Sequence, residues 1–168
     1  MTEEIPSIEF GRVEHGWAHV TVRHGSHLFE AVVSDLTDGL AEFITAIELV
    51  ATSRLSGAEC RWEVEPGFYA VVLRSRNEHP YVELSIGYDA DNYRVPEFLR
   101  EPEPGFRVIF DVRVLVRDAI TAYRSLLERH GADGYLERWN YAFPQVQVDA
   151  LSAWLEWDAT RWDTPNGL

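Results

Sequence analysis

Four histidines, His15, His19, His24 and His27, are crowded into one short stretch of the chain, and imidazole is the side chain best suited to metal ligation and to proton transfer near neutral pH. Their setting spoils the cluster. His15-Gly16 and Gly25-Ser26 read as turns, so His24 and His27 face each other at a hairpin tip, His19 points to the outer face and His15 sits in a turn. A zinc site needs three or four ligands and an ordered surround. The pattern supplies two, so neither a metal site nor a cofactor is expected, with His24 and His27 the only candidates for a stray ion. Cys60 is the single cysteine. It can form no internal disulfide and no cysteine-only metal site, and its inward position in a strand makes it a buried thiol rather than a nucleophile. Asp89-Ala90-Asp91-Asn92 starts like a calcium loop but lacks the glycine and closing glutamate of an EF-hand. No G-x-S-x-G, phosphate loop, Rossmann glycine pattern or H-E-x-x-H is present, so no catalytic residue is assigned.

The remaining chemistry is spread over a surface. If the strands form one sheet, its outward face collects Arg12, His19, Thr21, Glu30, Arg61, Glu63, Arg74, Glu83, Ser85, Arg107, Asp111 and Arg113, with Trp17 and Phe68 at the rim. Such a face is either a solvated ladder of ion pairs such as Arg74 with Glu83, each worth about 0.2–1 kcal/mol, or a polar binding surface in which Ala70 and Gly87 leave room for a partner. A second candidate is residues 89–105, a long loop with three prolines in which Tyr93, Arg94, Phe98 and Arg100 are the contact residues. Loops of that length are often binding segments or lids.

The elements that would position these residues are legible from alternation. Residues 58–89 read as three strands joined by turns at Pro66-Gly67 and at residues 77–80. The expected register sets Trp62 against Val71 and Cys60 against Leu73, then Leu73 against Leu84, Val71 against Ile86 and Tyr69 against Tyr88. That gives one apolar face, with Arg61, Glu63, Arg74 and Glu83 on the other. Before it, residues 8–14, 17–23 and 26–34 are three antiparallel strands, the first an irregular edge, with Val22 facing Phe29, Val20 facing Ala31 and Ala18 facing Val33. Leu40, Phe43, Ile44, Ile47 and Val50 recur at helical spacing over 38–54, with Asp35 or Asp38 as cap. A single crossover by this helix would leave its flanking strands parallel. Residues 106–116 read as a seventh strand and 118–130 as a helix closed by Gly131. Residues 135–141 and 148–157 read as shorter helices, with Trp139, Trp154 and Trp157 as packing anchors. The fold class is therefore α+β: a mostly antiparallel sheet of about seven strands, three, then a helix, then four, with C-terminal helices on one face. Residues 1–168 form one domain and 164–168 fray.

Bulk properties narrow the function classes. With 168 residues, 46% of them hydrophobic, the chain has enough apolar surface for one ordinary core. Twenty-eight acidic residues against fifteen basic ones leave a formal charge of −13. That field repels phosphate backbones, excludes a nucleic-acid partner and favours a basic one. All the basic residues are arginine, a hint of a GC-rich genome. No signal-peptide pattern and no membrane-length apolar run is present, so a cytoplasmic protein with no membrane partner is expected.

Gly16-Trp17-Ala18-His19-Val20, Ser34-Asp35-Leu36 ahead of the helix, and Trp62-x-x-Glu65-Pro66-Gly67-x-Tyr69 together resemble a family of small uncharacterised bacterial proteins of high-GC genomes. The resemblance covers most of the chain, including residues 135–139. It implies a single α+β domain and no known activity. The expected function is a non-enzymatic protein-binding module, of the immunity type that neutralises a co-encoded basic toxin. The alternatives are a small-molecule-binding protein or hydrolase with a pocket under residues 89–105, and a homo-oligomer built on the outward face or an edge strand.

Overall fold

The computed structural model describes residues 7–76, 80–89 and 105–162, with side chains described through residue 158. Tyr93, Arg94, Phe98 and Arg100 lie outside these residues, as does the calcium-like Asp91-Asn92. The described elements are β1 (Ile8–Glu14), β2 (Trp17–His24), β3 (His27–Ser34), α1 (Gly39–Ala51), β4 (Gly57–Glu63), β5 (Phe68–Ser75), β6 (Tyr81–Asp89), β7 (Phe106–Asp111), α2 (Val112–Trp139) and α3 (Gln145–Trp162). The seven strands form one sheet in sequence order, every neighbouring pair antiparallel. This is the expected α+β architecture of three strands, a helix and four strands.

Alternation places the strands as expected over most of the sheet. Val22 meets Phe29, Val20 meets Ala31 and Ala18 meets Val33, and Leu73 meets Leu84, Val71 meets Ile86 and Tyr69 meets Tyr88. The irregular first strand carries a shift between Phe10 and Val13. The β4–β5 hairpin corrects the expected register by two residues: Trp62 faces Tyr69 and Cys60 faces Val71. Val64 is drawn into the turn, its N–H donating to the Gly67 carbonyl at 3.1 Å. An even shift leaves every side chain on its expected face.

β3 and β4 are antiparallel, not parallel, and pair only through Ser34 and Glu63. They overlap end to end, so β4 continues beyond the end of β3 and runs beside the start of α1. The edge of β4 exposed by this offset is covered by that helix. Glu42 accepts from the Arg61 N–H at 3.3 Å, the Trp62 indole donates to the Gly39 carbonyl at 3.2 Å, and a Cβ on Gly39 would meet the Arg61 carbonyl oxygen at 2.6 Å. The sheet also curls strongly. Flat, β3 and β7 would stand roughly 19 Å apart at 4.8 Å per strand, yet the Phe29 and Phe106 rings are 6.0 Å apart and His24 sits edge-on to Phe110 at 4.8 Å.

The helices fill the concave side. Phe43 packs on Trp62 at 5.0 Å and Phe10 on Tyr123 at 4.8 Å, and the Tyr123 hydroxyl donates to the Leu40 carbonyl, tying α2 to α1. α1 starts at its cap Asp38 as expected and ends at Ala51, with Ser53 in the left-handed region at φ 58°. The seventh strand stops at Asp111 rather than residue 116. Asp111 caps a helix by accepting from the Arg113 N–H at 2.8 Å, and Val112, Leu115, Val116 and Ala119 are buried at helical spacing. Valines at 112, 114 and 116 mimic strand alternation; the cap decides against it. As expected, Gly131 interrupts the helix with a non-helical backbone (φ 67°), and the second helical segment of α2 that follows it ends at Trp139 rather than at residue 141. No helix among the described residues is long and apolar enough to cross a membrane.

Candidate functional site

The Arg/Glu face forms over β4–β7, with partners that differ from those expected. Glu83 stands opposite Arg74 in register, but its carboxylate pairs with Arg76 at 3.0 Å and Arg107 at 3.7 Å, leaving Arg74 exposed. Arg61 lies over the Phe68 ring, 4.4 Å from its centroid, a cation–π contact that closes off a ring expected at the rim and now buried. Glu63, beside Ser34 at the β3–β4 joint, has its carboxyl pushed up by burial; Arg61 opposes the shift, and Glu42 and Glu65 add to it. Arg113 leaves this face altogether. As a first-turn residue of α2 it bonds Asp158 of α3, and Asp111 is spent as the helix cap. The face is thus a braced ladder around Glu83 and Arg61.

His24 and His27 are opposed at the tip of the β2–β3 hairpin, as their spacing requires. Among the described residues no group of three or more His, Cys, Asp or Glu side chains is placed to hold a metal ion. Cys60 is buried, and burial, reinforced by Glu42 and Glu59, pushes its thiol well above the usual range. A thiol held neutral is a poor nucleophile. Trp139 is a fully buried anchor, whereas Trp154 is half-buried and Trp157 exposed. The Trp139 indole donates at 2.9 Å to Asp38, whose carboxyl burial raises and the two hydrogen bonds from Trp139 and Ala41 partly restrain.

A further group of exposed apolar side chains lies on the outward side of β2 and β3. Leu28 is 54% exposed, Val32 42%, Trp17 38% and, just past the strand, Leu36 60%. Register sets His19 across from Val32 and Thr21 across from Glu30, so the surface mixes apolar and polar groups. Sequence reasoning recorded Trp17, His19 and Glu30 here but not Leu28 and Val32. Their signal was present: H-L-F-E-A-V-V-S has apolar residues at both parities, which a half-buried strand does not need.

On the far side of β2 this surface continues into a groove of about 400 Å³ between β1 and α2, lined in part by Glu9, Gly11, His19, Thr21, Ser125 and Arg129. Gly11 gives the groove its floor, since a Cβ there would stand 3.0 Å from that of His19. Arg129 is anchored on the Phe10 carbonyl at 3.3 Å and on the Gly11 carbonyl. Arg23 pairs with Glu9 at 2.8 Å, which neutralises that carboxylate, while Arg129 brings its positive charge to the groove on neutral partners.

No protein-family model, curated protein or solved structure matches the chain.

Proposed function

We propose that this chain is a non-enzymatic protein-binding module of the immunity type, which neutralises a basic protein partner. The observation that carries the reading is the concentration of exposed Trp17, Leu28, Val32 and Leu36 beside the acidic and polar groups of β2 and β3. Apolar side chains gathered on one surface mark an interaction site more often than scattered ones do, and an aromatic with a polar rim is typical interface composition. The charge of −13 steers basic proteins toward the module and repels acidic ones. The test is capture from the native host with the tagged chain, followed by mass identification and reconstitution with the purified partner. Val32→Asp should weaken that complex by tenfold or more, on the order of the 1–3 kcal/mol expected for an interface anchor, while leaving folding intact. An equally tight complex would move the binding surface elsewhere.

The β1–α2 groove favours a second reading as a small-molecule-binding protein. A compound bound there would shift the His19 and Arg129 side-chain resonances and raise the melting temperature. A metabolite screen that moves neither removes this reading.

A further inference from the structure

The groove between β1 and α2 owes its shape to the irregularity in β1. Phe10 pairs with Val20 and Val13 with Ala18, so β1 has two residues, Gly11 and Arg12, where β2 has only His19. A bulge of this kind takes backbone groups out of the ladder, and bulges are common beside functional sites. Here the Phe10 and Gly11 carbonyls both accept from Nη1 of Arg129, the first at 3.3 Å. The same guanidinium donates through Nη2 to the Ser125 hydroxyl, one helical turn earlier, at 3.3 Å.

Arginine carries five N–H donors and no acceptor. With these bonds made, Nε and at least one Nη2 hydrogen of Arg129 meet no acceptor among the described residues, and no carboxylate there pairs with it. The one carboxylate lining the groove, Glu9, is already held by Arg23 at 2.8 Å. The groove therefore carries one positive charge without a counter-ion, in a chain whose formal charge is −13. Arg129 and His19 are both exposed and within reach of a ligand. Because its bonds to β1 and Ser125 already fix the guanidinium, little side-chain freedom is left to lose on binding.

We infer that this groove binds a small monocarboxylate with an apolar body, an inference that rests on the small-molecule reading of the groove above. The carboxylate accepts charge-assisted hydrogen bonds from the donors that Arg129 has left, the match of planar groups for which arginine is suited. His19 and Thr21 offer polar contacts beside it, and Ile8, Phe10 and Ala122 line the apolar part. The volume of about 400 Å³ lies at the small end of ligand sites. A phosphate dianion fits less well, because its second negative charge would have no cation of its own and would stand near Glu9. A neutral ligand would leave the arginine unmatched.

The test is an NMR titration of the full chain with benzoate, its neutral counterpart benzamide, and phenyl phosphate, following the Arg129 Nε–H and His19 imidazole resonances. Benzoate should shift both, with a Kd in the millimolar range or tighter for a probe of that size. It should bind about fivefold or more tighter than benzamide, since charge-assisted hydrogen bonds are roughly twice as strong as neutral ones, and tighter than phenyl phosphate. Arg129→Lys keeps the charge but loses the planar fork and should weaken benzoate about fivefold. Because Arg129 also braces β1, Ser125→Leu is the second variant: it fills the groove from α2, leaves both Nη1 bonds in place and should abolish binding in a chain that still melts cooperatively. Benzoate and benzamide binding alike in the groove, or phenyl phosphate binding tighter than benzoate, would overturn the carboxylate inference while sustaining the small-molecule reading. Benzoate shifts confined to other residues, or unchanged in Ser125→Leu, would overturn it as well. So would the absence of any benzoate shift, and a metabolite screen equally silent would then remove the small-molecule reading too.

Discussion

Asp38 joins three elements through one carboxylate, and replacing it should be costly for two separable reasons. It caps α1 by accepting from the Ala41 N–H at 3.3 Å, and it accepts the Trp139 indole N–H at 2.9 Å. Asp38→Ala loses the cap, about 0.5–2 kcal/mol. It also strands a donor on a Trp139 that is fully buried, about 1–3 kcal/mol. The expected total is roughly 2–4 kcal/mol, a drop of about 1–2 M in the urea midpoint at a slope of about 2 kcal/mol/M, followed by tryptophan fluorescence. Asp38→Asn keeps a neutral acceptor for both donors and should lose less than half as much. In a Trp139→Phe background the indole donor is gone, so Asp38→Ala should then cost only the cap. The coupling between the two sites should be about 1–2 kcal/mol. The raised carboxyl adds a pH signature. Above the usual aspartate value the folded chain still holds a proton that the unfolded chain has released. This contribution to stability therefore falls as pH rises through the window between the unfolded and folded values, and Asp38→Asn should remove the fall. A loss under 0.5 kcal/mol for Asp38→Ala, or equal losses for alanine and asparagine, would refute the reasoning.

Other substitutions test other joints. Gly39→Ala should destabilise by about 1–3 kcal/mol on thermal unfolding, although alanine is the better helix former, because its Cβ would meet the Arg61 carbonyl oxygen at 2.6 Å. Asp118→Ala should cost about 2–4 kcal/mol in urea, since its buried carboxylate accepts both the Ser7 N–H at 2.9 Å and the Ser7 hydroxyl at 2.6 Å. Burial and the nearby Arg138 and Arg129 depress the His130 imidazole; its stabilising effect should be present above the usual histidine value and shrink as pH falls through the window below it, a dependence that His130→Gln should abolish in pH-dependent unfolding. Cys60 should react with a thiol reagent only at the rate of unfolding, because the buried thiol is held neutral.

Most of the scaffold was legible because alternation and turn chemistry act locally. The Gly25-Ser26 turn fixed the β2–β3 register, and the residues bounding α1 are a capping aspartate and an apolar stripe. Two places misled for physical reasons. Valines at 112, 114 and 116 satisfy period two, but Asp111 and the burial of Leu115 and Ala119 favour a helix. The β4–β5 register is displaced by two residues because Val64 is held in the turn by a hydrogen bond to Gly67 instead of pairing across the hairpin. Of the expected outward face, Arg61, Glu63, Arg74, Glu83 and Arg107 stand on their strands, whereas Ser85 and Phe68 are buried, Asp111 caps α2 and Arg113 pairs with Asp158. The pairings on that face were not legible, because which arginine reaches Glu83 depends on side-chain reach rather than register. The meeting of β3 and β7 was illegible for a deeper reason. It arises from the end-to-end offset of β3 and β4 and the curl of the sheet, tertiary features without a local signature.

The central claim is that the β2–β3 surface is where this chain meets another protein. Its most direct test is residue-resolved amide exchange on the complex with the reconstituted host partner. Slowed exchange confined to β2, β3 and their surroundings is the expected result. Protection confined to the β4–β7 face or the β1–α2 groove, with β3 unchanged, would contradict it.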